Sequence, residues 1–173
     1  MKRLVLFSAL ALSACAPTQS QSAKRVDPAE LPAFLKPNTV WTLHLSATDT
    51  TPALQRTSVV GRDAERESDG ISIFVPFVDS GLNNLAHFFM YAKPGKQEIL
   101  TAVYVRETAG KENFTFCMVP EPSKVAGNKY NGIQFHQFNA SPTEADFALL
   151  ETYAETGVLP KGASSCQLEL NSK

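Results

Sequence analysis

The chain is poor in the residues that most familiar chemistry uses. It has 3 cysteines and 3 histidines in 173 residues. No H-E-x-x-H or C-x-x-C occurs, so the short-spaced zinc sites that draw ligands from close pairs are excluded. No G-x-S-x-G elbow, phosphate loop or G-x-G-x-x-G is present, which removes the common hydrolase, nucleotide and dinucleotide signatures. No apolar run approaches the roughly 20 residues that a membrane-crossing helix needs. Long basic runs are missing too: 16 basic residues stand against 17 acidic ones, a formal charge of −1. That leaves no electrostatic footprint for nucleic acid.

What is present begins at the N-terminus. Lys2 and Arg3 precede an apolar run from Leu4 to Leu12, and the small residues Ser13 and Ala14 follow. This charge, apolar, small order is that of a secretory signal peptide. The run has no polar face, so it does not read as an amphipathic helix of a globular core. It is about half the length of a membrane span.

Leu12-Ser13-Ala14-Cys15 resembles the lipobox of bacterial lipoproteins. The resemblance implies that residues 1–14 are a signal peptide, that the Cys15 thiol receives a diacylglyceryl group, and that cleavage leaves Cys15 first. It implies an exported protein held to a membrane by lipid. Ala16 rather than Asp follows the cysteine, which under Gram-negative sorting means the outer membrane and otherwise the outer face of the cell membrane. The device is physically sufficient. Each buried CH₂ contributes about 0.8 kcal/mol, so one acyl chain holds weakly and two or more hold well. Loss of Lys2 and Arg3 takes the formal charge from −1 to −3.

Residues 15–26 are polar after Cys15 and read as a disordered tether. Residues 27–173 are expected to form a single β-rich domain, a size typical of one core. Export would place Cys117 and Cys166 in an oxidising compartment, where such pairs become disulfides. Closing a loop of about 50 residues would stabilise the fold by about 4 kcal/mol. A metal pair or a catalytic thiol is the alternative, but neither cysteine has a histidine at ligand spacing.

The periodicity is mostly two. Asp27-Pro28-Ala29-Glu30 opens a short helical turn, limited by Pro32 and Pro37. Trp41, Leu43 and Leu45 then alternate with Thr42 and His44, the pattern of a half-buried strand. Weaker or two-faced strands follow around Val59–Val60, over 71–78 and over 86–92, with Pro76 marking an edge or bulge. Strands at 99–106 and 114–119 complete a meander, Cys117 lying opposite Phe116 and Met118. Ile133 and Phe135 continue it. Ser141, Pro142 and Glu144 read as the capped start of a helix carrying Phe147, Leu150, Tyr153 and Ala154 on one face, with Gly157 as its stop. Cys166, Leu168 and Leu170 make a last strand.

The expected fold is therefore mainly β: an antiparallel meander of about seven to eight strands closing into a small barrel or sandwich, with one C-terminal amphipathic helix packed outside. The order of elements resembles lipocalin-like barrels. Asn38-Thr39-Val40-Trp41 lacks the glycine that lipocalins place two residues before the tryptophan.

For chemistry, His44, His87 and His136 are the first candidates. Each falls on a strand, far from the others, and phase puts His44 and His136 on polar sides. The carboxylates Asp63/Glu65/Glu67 and Glu107/Glu112 sit in charged loops, where solvation explains them. Asn113-Phe114-Thr115 matches a glycosylation acceptor by chance spacing. Most of the 11 phenylalanines belong to the core. Trp41, Phe88 and Tyr91 are the candidates for a ligand surface. No catalytic residue, metal or cofactor is assigned. The expectation is a non-catalytic, lipid-anchored envelope module whose partner is the membrane plus an envelope protein, a glycan or a small apolar ligand. The rivals are an envelope hydrolase or metal enzyme using the strand histidines, and a structural scaffold of an envelope assembly.

Overall fold

The structure is a computed structural model that describes residues 24–49, 52–62, 64–66, 72–78, 87–92, 98–108, 111–137 and 143–171. Cys15, the signal segment and most of the tether lie outside the described residues. Ten strands form: β1 (Lys24–Arg25), β2 (Val40–Leu45), β3 (Leu54–Val60), β4 (Glu65–Arg66), β5 (Ser72–Val78), β6 (His87–Ala92), β7 (Ile99–Thr108), β8 (Lys111–Pro120), β9 (Lys129–Gln137) and β10 (Ser164–Asn171). One helix, α1 (Glu144–Thr156), lies between β9 and β10. Every pairing is antiparallel, as hairpin-linked strands require.

The expected closed barrel of seven to eight strands is corrected. A curved sheet of 6 antiparallel strands stays open as a half-barrel, its edges 9 Å apart. The continuous ladder runs β3-β2-β10-β9-β8-β7. β6 extends it from β7, and β5 pairs with β6. β5 meets β3 only at Val59↔Val78 and Val60↔Phe77, while Glu65 and Arg66 of β4 take Phe74 and Ile73. The seam is too short and too broken to shut the wall. Pro76 falls between those two sets of pairings on one edge of β5 and opposite Phe88 of β6 on the other.

Period-two alternation sorts the side chains into two cores. On the concave face lie Trp41, Leu43, Leu45, Leu100, Ala102, Cys117, Val119, Tyr130, Cys166 and Leu168. On the convex face, under α1, lie Ile99, Val103, Val105, Phe116, Met118, Ile133, Phe135 and Leu150. β7 and β8 are thus covered on both sides, which explains their nearly continuous apolar sequence.

One end of the concave core is plugged by the segment before β2. Asp27 accepts a hydrogen bond from the Ala29 N–H at 2.8 Å and starts a 3-10 turn over Pro28–Glu30. A second turn, Ala33–Leu35, drives Leu35 fully into the core. The Trp41 indole N–H donates to the Phe34 carbonyl at 2.9 Å. Trp41 also packs edge-on against Tyr130, with ring centres 4.9 Å apart. The ordered domain reaches back further than residue 27. Lys24 and Arg25 pair with Arg66 and Glu65, Val26 is buried, and its N–H reaches Ala64 O at 2.8 Å.

The expected disulfide is present: Cys117 and Cys166 are bonded with Cα atoms 5.7 Å apart. It joins β8 to β10 across β9, which runs between them. Gly132, paired with Cys166, makes that approach possible, since a Cβ there would lie 2.3 Å from Met118 O. Glycine at a sheet corner serves this need.

The helix starts two residues later than its sequence suggests. Thr143 rather than Ser141 is the N-cap, and its reciprocal box partner is Asp146 rather than Glu144. Both triplets fit the capping pattern, and the second one wins. Gly157 ends the helix at φ 67°, as expected. Leu150 is its buried residue, whereas Phe147 is exposed.

Candidate binding clefts beside the helix

Because α1 seats one buried leucine on the convex face, open space remains at both of its ends. At its C-terminal end a cleft of about 430 Å³ is lined by His44, Ser46, Asn131, Tyr153, Leu159, Ser165 and Gln167, among others. At its N-terminal end a second cleft of about 660 Å³ takes in Thr48, Asp49, Gln134, His136, Asp146 and Lys161. Register explains the first lining. His44 pairs with Gln167, and Gln167 with Asn131, so three neighbouring strands offer polar side chains at one level of the convex face.

Local hydrogen bonds fix most of these groups. Gln167 Nε2 donates to Asn131 Oδ1 at 2.8 Å, and the hydroxyls of Ser46 and Ser165 lie 2.9 Å apart. His44 Nε2 is buried and has no hydrogen-bond partner among the described residues. Glu169 Oε2 lies 3.4 Å from it, outside hydrogen-bond geometry.

The second cleft contains the best-defined polar network. The Ser46 N–H donates to Gln134 Oε1 at 3.0 Å, and Gln134 Nε2 donates to Ser46 O at 3.2 Å. That fixes which end of the Gln134 amide is nitrogen. The same Nε2 is 2.8 Å from His136 Nε2, which must therefore accept. The His136 proton then sits on Nδ1 and is donated to Thr115 Oγ1 at 2.9 Å. The imidazole is held neutral in one tautomer, and desolvation pushes its pKa below the ordinary histidine value.

The histidines do not converge. His44 lies on the convex face and His136 on the other side of the sheet, since Ile133 and Phe135 carry the convex phase of β9. The His87 backbone pairs with Tyr104, and its side chain lies outside the described residues. Among the described residues no group of three His, Cys, Asp or Glu side chains is placed to hold a metal.

Of the three candidate ligand residues, Trp41 is buried in the plug. Tyr91 is buried as well, edge-on to Phe34 at 5.8 Å, with its hydroxyl donating to Glu98 at 2.9 Å. The Phe88 side chain lies outside the described residues. Sequence reasoning passed over Asn131, Gln134 and Gln167. Alternation assigns each a face, but only the strand order puts Asn131 and Gln167 side by side. Arg56 was also passed over. It pairs with Leu43 and so takes the concave phase, with a buried Nε that lacks a hydrogen bond among the described residues.

Compared with known proteins, the chain matches no family model, and no curated protein or solved structure matches it at a significant level.

Proposed function

We propose that this protein is a lipid-anchored component of a bacterial cell envelope whose β-domain binds a ligand or partner without transforming it. The address rests on the Leu12-Ser13-Ala14-Cys15 box behind a basic, apolar leader. The binding role rests on one observation: two clefts flank α1, the first lined by the Asn131 and Gln167 amides, the Ser46 and Ser165 hydroxyls and the His44 imidazole, the second mixing Thr48, Gln134 and His136 with the charged Asp49, Asp146 and Lys161. Such linings suit a polar ligand, a glycan or the polar face of an envelope protein. They suit a small apolar molecule less well, because Trp41, Tyr130, Leu35 and Leu168 occupy the concave core.

The network at His136 supports the non-catalytic reading. Thr115 and His136 look like a nucleophile and its base, but the shared proton belongs to the imidazole Nδ1. A histidine that already donates to the hydroxyl does not take its proton. A scaffold role draws support from a different observation, the exposed side chains of Phe147, Leu149, Val158 and Leu159 on and after α1.

The anchor is tested by replacing Cys15 with serine and fractionating cells. The wild type is expected in the membrane pellet and Cys15→Ser in the soluble fraction. A variant that still sediments with membrane overturns the lipid assignment.

A further inference from the structure

We infer that the cleft at the C-terminal end of α1 binds a neutral chain of N-acetylated amino sugars. The inference rests on the binding reading above and deepens it by naming the ligand class.

The lining decides the chemistry by elimination. Neither lysine nor arginine lines this cleft, so a phosphate, sulfate or carboxylate ligand would enter without the cationic partner that makes such contacts strong. Its apolar lining, from Leu45, Tyr153, Leu159 and Cys166, shares the wall with His44, Ser46, Asn131, Ser165 and Gln167, so an acyl chain would desolvate polar groups there without pairing them. What remains is a volume of about 430 Å³, within the usual range for small-ligand sites, offering hydrogen bonds without net positive charge. A neutral, polyhydroxylated ligand fits those terms.

The amides narrow it further. Gln167 gives one N–H to Asn131 Oδ1. The Asn131 NH₂ and the Gln167 Oε1 have no protein partner among the described residues. A donor and an acceptor side by side complement the C=O and N–H of an acetamido group. Tyr153 and Leu159 line the same cleft and supply apolar surface for the acetyl methyl and the C–H face of a sugar ring.

His44 lines the same cleft from the neighbouring strand, its ring partly exposed and its Nε2 3.4 Å from Glu169 Oε2, and it adds a flat face against which a sugar ring can lie.

The test is calorimetric titration of the purified full-length protein in detergent micelles with tri-N-acetylchitotriose, and with cellotriose as the comparator that lacks acetamido groups. Saturable binding of the acetylated sugar is expected, with cellotriose about tenfold weaker or worse. Asn131→Ala and Gln167→Ala should each weaken binding several-fold, on the order of one lost hydrogen bond. Neither side chain is part of the core, so circular dichroism of both variants should match the wild type. No saturation at millimolar sugar, equal binding of cellotriose, or unchanged affinity in both variants overturns the assignment. Recovery of the trisaccharide is measured separately. Cleaved sugar supports the site and overturns the non-catalytic reading, whereas intact sugar with no binding overturns the site and leaves that reading standing.

Discussion

The two cores of this domain are built differently. The concave one is fastened by a plug, a disulfide and a tryptophan whose N–H is spoken for. The convex one is covered by a helix that buries Leu150 and leaves Phe147 and Leu149 in solvent. A lid held at few points leaves room around it, and the clefts are found at its two ends. The rigid layer therefore sets strand register, and the loosely covered layer presents the surface. Binding sites are commonly arranged this way, with variable coverings on a fixed scaffold.

The comparison can be broken by truncating one residue in each layer. Trp41→Ala removes the largest buried side chain of the concave core and unpairs the Phe34 carbonyl, for an expected loss of about 3–5 kcal/mol. Leu150→Ala on the convex side should cost nearer the low end of the large-to-small range, about 2–3 kcal/mol, because a half-exposed helix can settle into the space. Urea denaturation of both variants measures the gap. Equal losses would mean the layers are equally tight.

The disulfide comes close behind. The bridge closes a separation of 49 residues, and its removal in a Cys117→Ala/Cys166→Ala variant should cost about 4 kcal/mol on the chain-entropy argument. Urea denaturation of this variant beside the wild type measures the loss, and equal stability would mean that the bridge holds nothing that the plug does not.

The smallest effect is expected at His136. Burial lowers its folded pKa below the ordinary value of 6.5, so the unfolded chain binds the proton more readily. The resulting stability is complete above pH 6.5 and is lost as pH falls from there through the lowered folded value. Protonation would also set an Nε2–H against the Gln134 amide donor. Melting temperatures from pH 8 to 5 should fall more steeply for the wild type than for His136→Gln. Parallel curves would show that the imidazole is not locked as argued.

Much of this was legible in the chain. Alternation around Trp41, Phe116 and Leu168 assigned the faces correctly, and the expectation of export paired Cys117 with Cys166, which are bonded. The errors fall where distant segments decide the outcome. The sheet was expected to close, but closure depends on how β5 divides its edge between two residues of β3 and two of β4, a choice that alternation does not record. Nothing in the strand pattern marks Gly132 as the place where a Cβ would meet Met118 O. Ser141 reads as the helix cap, but Thr143 takes that place because its hydroxyl and the Asp146 carboxylate close the box. His136 is exposed, as its polar phase suggested, but its hydrogen bonds to Gln134 and Thr115 could not be read from alternation.

The chain contains one tryptophan, and it sits where the plug meets the sheet. Intrinsic fluorescence is therefore a reporter of a single joint. Departure of residues 24–38 would wet the indole and shift its emission to the red, whereas a helix lifting from the opposite face would leave the spectrum nearly untouched. The protein thus carries its own optical means of telling which of its coverings has come away.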